Sequence, residues 1–260
     1  MKDDRIGVVV LAWAMAMAVV GGCASTSGIV AQAPAPGLSA TPVSQVGQMR
    51  AVMREGLTEP RAALTEFVGT PHAFAVGAMA GLDGEVTILD GQVWITRVVA
   101  GRPVSFGPHA TPDDNATLLI GAHVSAWRSV TLPAAAGGEE LEALIAQQAR
   151  AHGLDASKPF PFRIEGGLSS LDMHVINGFC PHSGGEAAQA NQPWTFAGAP
   201  AAHVTIVGFY AGGSEGEMTH HGTAIHAHAL VRLDAERITG HVDAMTVAPG
   251  AVLMLPAWSQ

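Results

Sequence analysis

The chain has 260 residues, 48% of them hydrophobic, 5% aromatic and 13% charged, with a formal net charge of -9. That length and apolar share allow one large domain or two small ones with a sizeable core. The acidic balance, with no basic patch interleaved with aromatics, argues against a nucleic-acid partner, and 31 glycines among many short apolar runs point to a β-rich fold with tight turns.

In chain order, the first piece stands apart. Lys2 and Arg5 precede the apolar run Ile6 to Val20, which ends in Val20-Gly21-Gly22-Cys23. An apolar run of this length followed by small residues reads as an export signal rather than a stable membrane span. Small residues before a cysteine resemble the bacterial lipobox. The resemblance implies lipidation of Cys23, membrane attachment through that lipid, and a place in the periplasm or cell envelope. Residues 1–23 are therefore read as a lipoprotein-type signal peptide. Residues 24–44, rich in Ser, Thr, Gly, Ala and Pro, read as a flexible linker, and 45–260 as the folded domain. Cys180 is then the remaining thiol, so export implies no disulfide framework. Beside His182 it reads as a quiet half-buried cysteine, with a reactive thiol or a metal ligand as the alternatives.

Val46, Met49, Val52 and Met53 recur at helical spacing and predict a short amphipathic helix. Pro60 suits a new helical start, with a turn or two over Ala63 to Val68. The run Phe74–Ala80 leads through Gly81-Leu82-Asp83-Gly84-Glu85 into Val86–Ile95, where Asp90-Gly91 marks a hairpin because both positions favour positive φ. Glu85 shares a strand face with Thr87 and Leu89; it is either a buried carboxyl in need of a partner or a solvated strand end. Leu118–Ala126 reads as a strand and Gly138–Gly153 as a helix with Leu141, Leu144, Ile145 and Ala149 as its apolar stripe. Strands follow at Phe162–Gly166, Leu171–Ile176, Trp194–Phe196 and Val204–Tyr210, then a polar loop at Gly212–Glu217, and a last strand at Ala251–Leu255.

Thr219 to His241 is the most informative stretch, holding five of the 12 histidines. His226-Ala227-His228 on a strand puts two imidazoles on one face, because strand side chains have a period of two. His241 joins them if the chain turns back at the polar break Leu233–Arg237. Neutral imidazoles suit zinc, nickel, copper or iron, and three of them with an open position is a catalytic zinc arrangement. His220 and His221 are candidates for a further ligand or a substrate contact.

Three pieces in this order resemble the acetolactate decarboxylase family over about Gln45 to Pro256: Gly81-Leu82-Asp83-Gly84-Glu85 with Leu89-Asp90-Gly91; Phe162-Arg163-Ile164-Glu165-Gly166; and His226-Ala227-His228 with Gly240-His241-Val242-Asp243. The resemblance implies an α/β fold of the α+β type, β-rich, with two packed mixed β-sheet halves and a few short helices, often as a homodimer. It implies a zinc ion on His226, His228 and His241, and Glu85 in the active site. It also implies a small-molecule substrate, 2-acetolactate, which becomes acetoin and carbon dioxide. By position His174 stands where the family has an active-site arginine, and no acidic residue follows Asp243 to match the family's C-terminal glutamate.

Overall fold

The computed structural model describes residues 43–178, 191–198 and 201–257, with the backbone alone at 201–203. The signal peptide, the linker as far as residue 42, Cys180 and His182 lie outside the described residues. Among the described residues no helix is long and apolar enough to cross a membrane.

Among the described residues, fifteen strands form two sheets. The first sheet contains β1 (Ser44–Val46), β2 (Ala62–Ala63), β3 (Ala73–Met79), β4 (Glu85–Leu89), β5 (Gln92–Val99), β6 (Arg102–Phe106) and β7 (Asn115–His123). Its order is β1-β7-β3-β4-β5-β6, with β2 also on β7. The second contains β8 (Trp127–Thr131), β9 (Ala136–Gly137), β10 (Phe160–Val175), β11 (Trp194–Phe196), β12 (Ala201–Tyr210), β13 (Ile225–Leu233), β14 (Glu236–Val247) and β15 (Val252–Pro256). In it β10, β12, β13 and β14 close on themselves, because β10 pairs with both β12 and β14. The result is a small barrel. The two sheets and the small helical share are as expected. Every ladder between named strands is antiparallel, where mixed sheets were expected.

Local chemistry explains the elements that position the site. The β4–β5 hairpin turns on Asp90 and Gly91, both at positive φ (51° and 74°), with Leu89 paired to Gln92. That is the two-residue turn whose twist matches the strands it joins. The stretches at 162–166 and 171–176 are one long strand, β10, rather than two. A register shift between Gly166 and Leu168 bends it, as an inserted bulge residue does. Its first half then pairs with β12 and β15 and its second half with β14 and β11. On β3, a Cβ at Gly77 would lie 1.9 Å from the Leu118 carbonyl oxygen, so only glycine lets β3 and β7 approach this closely.

The described residues also include two α-helices, α1 (Met49–Glu55) and α2 (Gly138–Ala151). The first begins three residues later than the apolar spacing suggests, because Ser44–Val46 is drawn into the edge of the first sheet against Leu119–Gly121. The turn after Pro60 is a single 3₁₀ turn, Leu64–Phe67, that buries Leu64 and Phe67. The stripe of α2 buries Leu141, Ile145 and Ala149 against the barrel core, with Leu144 partly covered. A separate apolar layer, including Phe74, Val76, Ile120, Val207, Phe209 and Leu230, packs the two sheets together.

Candidate metal centre

Alternation along β13 sorts its side chains. Ala227, Ala229 and Val231 belong to the barrel core. His226, His228 and Leu230 occupy the opposite face, where Leu230 joins the layer between the sheets. The turn at Asp234-Ala235 (φ 53° at Asp234) brings β14 back so that His241 lies directly across the ladder from His228. One nitrogen from each of His226, His228 and His241 lies within 4.8 Å of the others, close enough for one ion to bridge. All three side chains are buried.

Their hydrogen bonds leave lone pairs where a cation needs them. His226 Nδ1–H donates to the Met218 carbonyl at 3.1 Å, so Nε2 is the unprotonated nitrogen. His228 Nδ1 faces the Thr87 hydroxyl at 3.3 Å, and Thr87 Oγ1 contacts Thr239 Oγ1 at 2.6 Å. Thr239 N–H in turn donates to Thr96 Oγ1 at 2.9 Å. His228 Nε2 is buried with no hydrogen-bond partner. A buried polar atom without a partner costs free energy; a cation at that nitrogen removes the cost. Burial, reinforced by neighbouring imidazoles, pushes His226 down to about 3 and holds His228 and His241 well below the ordinary histidine value. Three neutral imidazoles, two of them oriented by outer partners, are a donor set that fits a transition-metal ion.

Glu85 resolves to the buried alternative. It opens β4 beneath the cluster, 3% exposed, with Oε2 3.6 Å from His228 Nε2. Burial drives its carboxyl up to about 8, against the lowering effects of His174 and of a hydrogen bond from the Ile176 backbone. His174 lies opposite His241 on the β10–β14 ladder, their ring centroids 5.1 Å apart. Its Nδ1–H donates to Asp243 Oδ1 at 2.8 Å. Burial works against protonation of His174, but the Asp243 hydrogen bond and the charges of Glu85 and Asp243 outweigh it and raise its pKa.

Of the two additional candidates, His220 joins the cluster, with its ring centroid 4.9 Å from that of His241 and 6.3 Å from that of His226. His221 does not. It is exposed and turns its ring toward Gly216. Thr87, Thr239, Thr96 and the Met218 carbonyl were not singled out as site groups from sequence. Thr87 carried a signal, since it shares a strand face with Glu85; the others depend on long-range pairing.

Two spaces meet the cluster. A cavity of about 20 Å³ lies beneath α1, lined by Met49, Met53, Glu85, His174, His226 and His241 among others. A groove of about 470 Å³ runs outside, between α2 and residues 220–223, and reaches His220, His241, Asp243, Glu139 and Glu142.

Fold and site together define a two-sheet β-rich protein with a buried imidazole cluster where the small barrel faces the other sheet. No family model matches the chain, and no curated protein matches it. Solved structures do share the fold. One is the alpha-acetolactate decarboxylase of Bacillus subtilis strain 168, at TM-score 0.59 and 17% identity over 84% of this chain and 86% of that one. The acetolactate decarboxylase of Bacillus subtilis subspecies spizizenii gives 0.58 and 18% over 84% and 87%. A Staphylococcus aureus protein of unknown function similar to alpha-acetolactate decarboxylase gives 0.58 and 17% over 82% and 85%. At these identities the likeness is one of fold, and the fold is that of the acetolactate decarboxylases.

Proposed function

We propose that the chain is a zinc-dependent carboxy-lyase of the acetolactate decarboxylase type, converting a 2-hydroxy-3-keto acid, 2-acetolactate, to acetoin and carbon dioxide. The observation that carries this reading is the convergence of His226, His228 and His241 beside buried Glu85 on an acetolactate decarboxylase fold. A zinc ion on the three imidazoles would supply Lewis acidity at the substrate's hydroxyl and keto oxygens, stabilising the negative charge left when carbon dioxide departs. Glu85, buried beside the cluster with Oε2 3.6 Å from His228 Nε2, is the group we assign to deliver the proton that the carbon must receive after the carbon–carbon bond breaks. His174 is more readily protonated than a free histidine and can grip the substrate carboxylate through its second N–H. One donor replaces the fork of an arginine, so a weaker hold on substrate is expected. The groove beside His220 and His241 is large enough for a small molecule. Export with a lipid on Cys23 and a homodimeric state belong to the same proposal.

The purified full chain is expected to contain close to one zinc per chain, lost in His226→Ala and kept in His221→Ala. Acetoin release from racemic acetolactate should require zinc and fall by about 10²-fold or more in Glu85→Gln. Full zinc occupancy with no acetoin would favour a second reading, a lipid-anchored metal or small-ligand binding protein on the same scaffold. The observation on its side is the cavity beneath α1, which at about 20 Å³ has room for an ion and not for the substrate.

A further inference from the structure

Residues 211–224 join β12 to β13 and carry His220. The first part of this loop is held by the N-terminal elements. Met49 N–H donates to the Glu217 carbonyl at 3.0 Å, Arg50 N–H to the Gly216 carbonyl at 2.9 Å, and Gln45 Nε2 to the Glu217 carbonyl at 2.7 Å. The last part is held by α2. Glu142, half-buried there, accepts the Thr223 hydroxyl on Oε1 and the Ala224 N–H on Oε2, the latter at 3.0 Å. Hydrogen bonds to a carboxylate are charge-assisted, and one carboxylate spanning two neighbouring residues fixes both. Glu142 is itself well anchored, since Leu141 and Ile145 of the same helix are buried in the barrel core. Between the two anchorages stands His220, its ring edge-on to that of His241 with centroids 4.9 Å apart. His220 and His241 are the residues common to the groove along α2 and the cavity beneath α1. They differ in what carries them. His241 lies on β14, paired on one side with His228 and on the other with His174. His220 lies on the loop, so of the two it is the one that can move aside.

We propose that small molecules reach the histidine cluster through the groove along α2, that His220 screens His241 from that groove, and that Glu142 is the positioning residue that holds His220 there. The path serves the site of the proposed function and rests on that reading for what travels along it, zinc and substrate. The full chain is tested in two ways. Zinc-loaded protein is mixed with excess chelator and the release is timed. Metal-free protein is treated with diethyl pyrocarbonate, which modifies accessible neutral imidazoles, and peptide mass spectrometry reads each histidine separately. Glu142→Ala should speed both zinc release and His241 modification by at least about tenfold, because losing hydrogen bonds to a charged group raises the population of the open loop. Zinc affinity should stay within about twofold, since a screen that opens more often speeds entry and exit alike. Glu142→Gln keeps an acceptor for the Ala224 N–H and should stay within about threefold of the native rates. His123 on β7 and His152 at the end of α2, both partly buried, should keep their modification rates in every variant. His220→Ala should act like Glu142→Ala, and adding Glu142→Ala to it should change the rates by less than about twofold, as when one residue acts through the other.

Unchanged His241 modification in Glu142→Ala overturns the proposal and leaves the side beneath α1 as the way in. Equal rises at His123 and His152 overturn it as well, because they mean a general loosening of the fold, and so do additive effects in the double variant. Loss of zinc affinity in His220→Ala would make His220 a ligand and not a screen. A native chain that binds no zinc fails the functional reading alone, and the modification rates then decide this one. Should Glu142→Ala not fold, Thr223→Val, which removes one of the two bonds, is read in the same way.

Discussion

Glu85 is a carboxyl whose neighbours are a buried imidazole, a backbone N–H and the apolar floor of a cavity. Its ordinary value of 4.5 is raised to about 8, so the folded chain holds this proton more tightly than the unfolded one. A raised value contributes stability that is complete below 4.5 and is lost as pH rises through about 8. In the metal-free protein, kept so by a chelator, Glu85→Gln removes that dependence. The stability of the native protein relative to the variant should therefore decline between pH 4.5 and 8, by on the order of a few kcal/mol, and level off above. Thermal unfolding followed across that window measures it; parallel curves for the two proteins would mean that Glu85 is hydrated. Sequence pattern left Glu85 undecided, because strand alternation assigns a face and not what covers it. The cover comes from the residue just past β10, Ile176, which is far away in the sequence.

At the scale of elements, strands whose chemistry is local were readable and those held by distant partners were not. Asp90-Gly91 declares its hairpin, and His226-Ala227-His228 declares a shared face. Strand β6 carries Pro103 and is half-exposed, while β8 is largely exposed and sits at a sheet edge. Neither shows the apolar alternation that marks a half-buried strand. The register that sets His174 opposite His241 depends on barrel closure, which no local pattern encodes. The same is true of the threonine chain from β4 through β14 to β5, which ties the two sheets together behind His228. Thr87→Val keeps the shape of the side chain and removes its hydroxyl. It should lower zinc affinity by about 10-fold or more, as loss of a ligand's outer partner does, and destabilise the metal-free fold by about 1 kcal/mol. Competition titration and denaturant unfolding read the two effects separately. Unchanged affinity would mean that His228 is oriented by the backbone alone.

Over the whole molecule, β-rich character followed from glycine content and short apolar runs, and the metal trio from three histidines at informative spacings. What sequence could not give was the roof. Val46 to Met53 reads as a small amphipathic helix with a packing role; the structure gives that helix the ceiling of the cavity over the cluster. Distance along the chain hides this, since residue 49 meets residue 217 through a contact that no local pattern encodes. The N-terminal reading is tested on intact cells: radiolabelled palmitate should be incorporated into the chain and lost in Cys23→Ser. Label in both proteins, or in neither, would remove the anchor from the proposal.

The order of pieces at the N-terminal side has a mechanical consequence. At its N-terminal side β1 forms a three-residue ladder on β7 and leads within two residues into α1. Tension applied from that end is borne first by the short ladder and next by the two backbone bonds that clamp α1 to Gly216 and Glu217. Both lie outside the barrel ladders, so a pull from that end that freed them would uncap the imidazoles and leave the barrel strands paired.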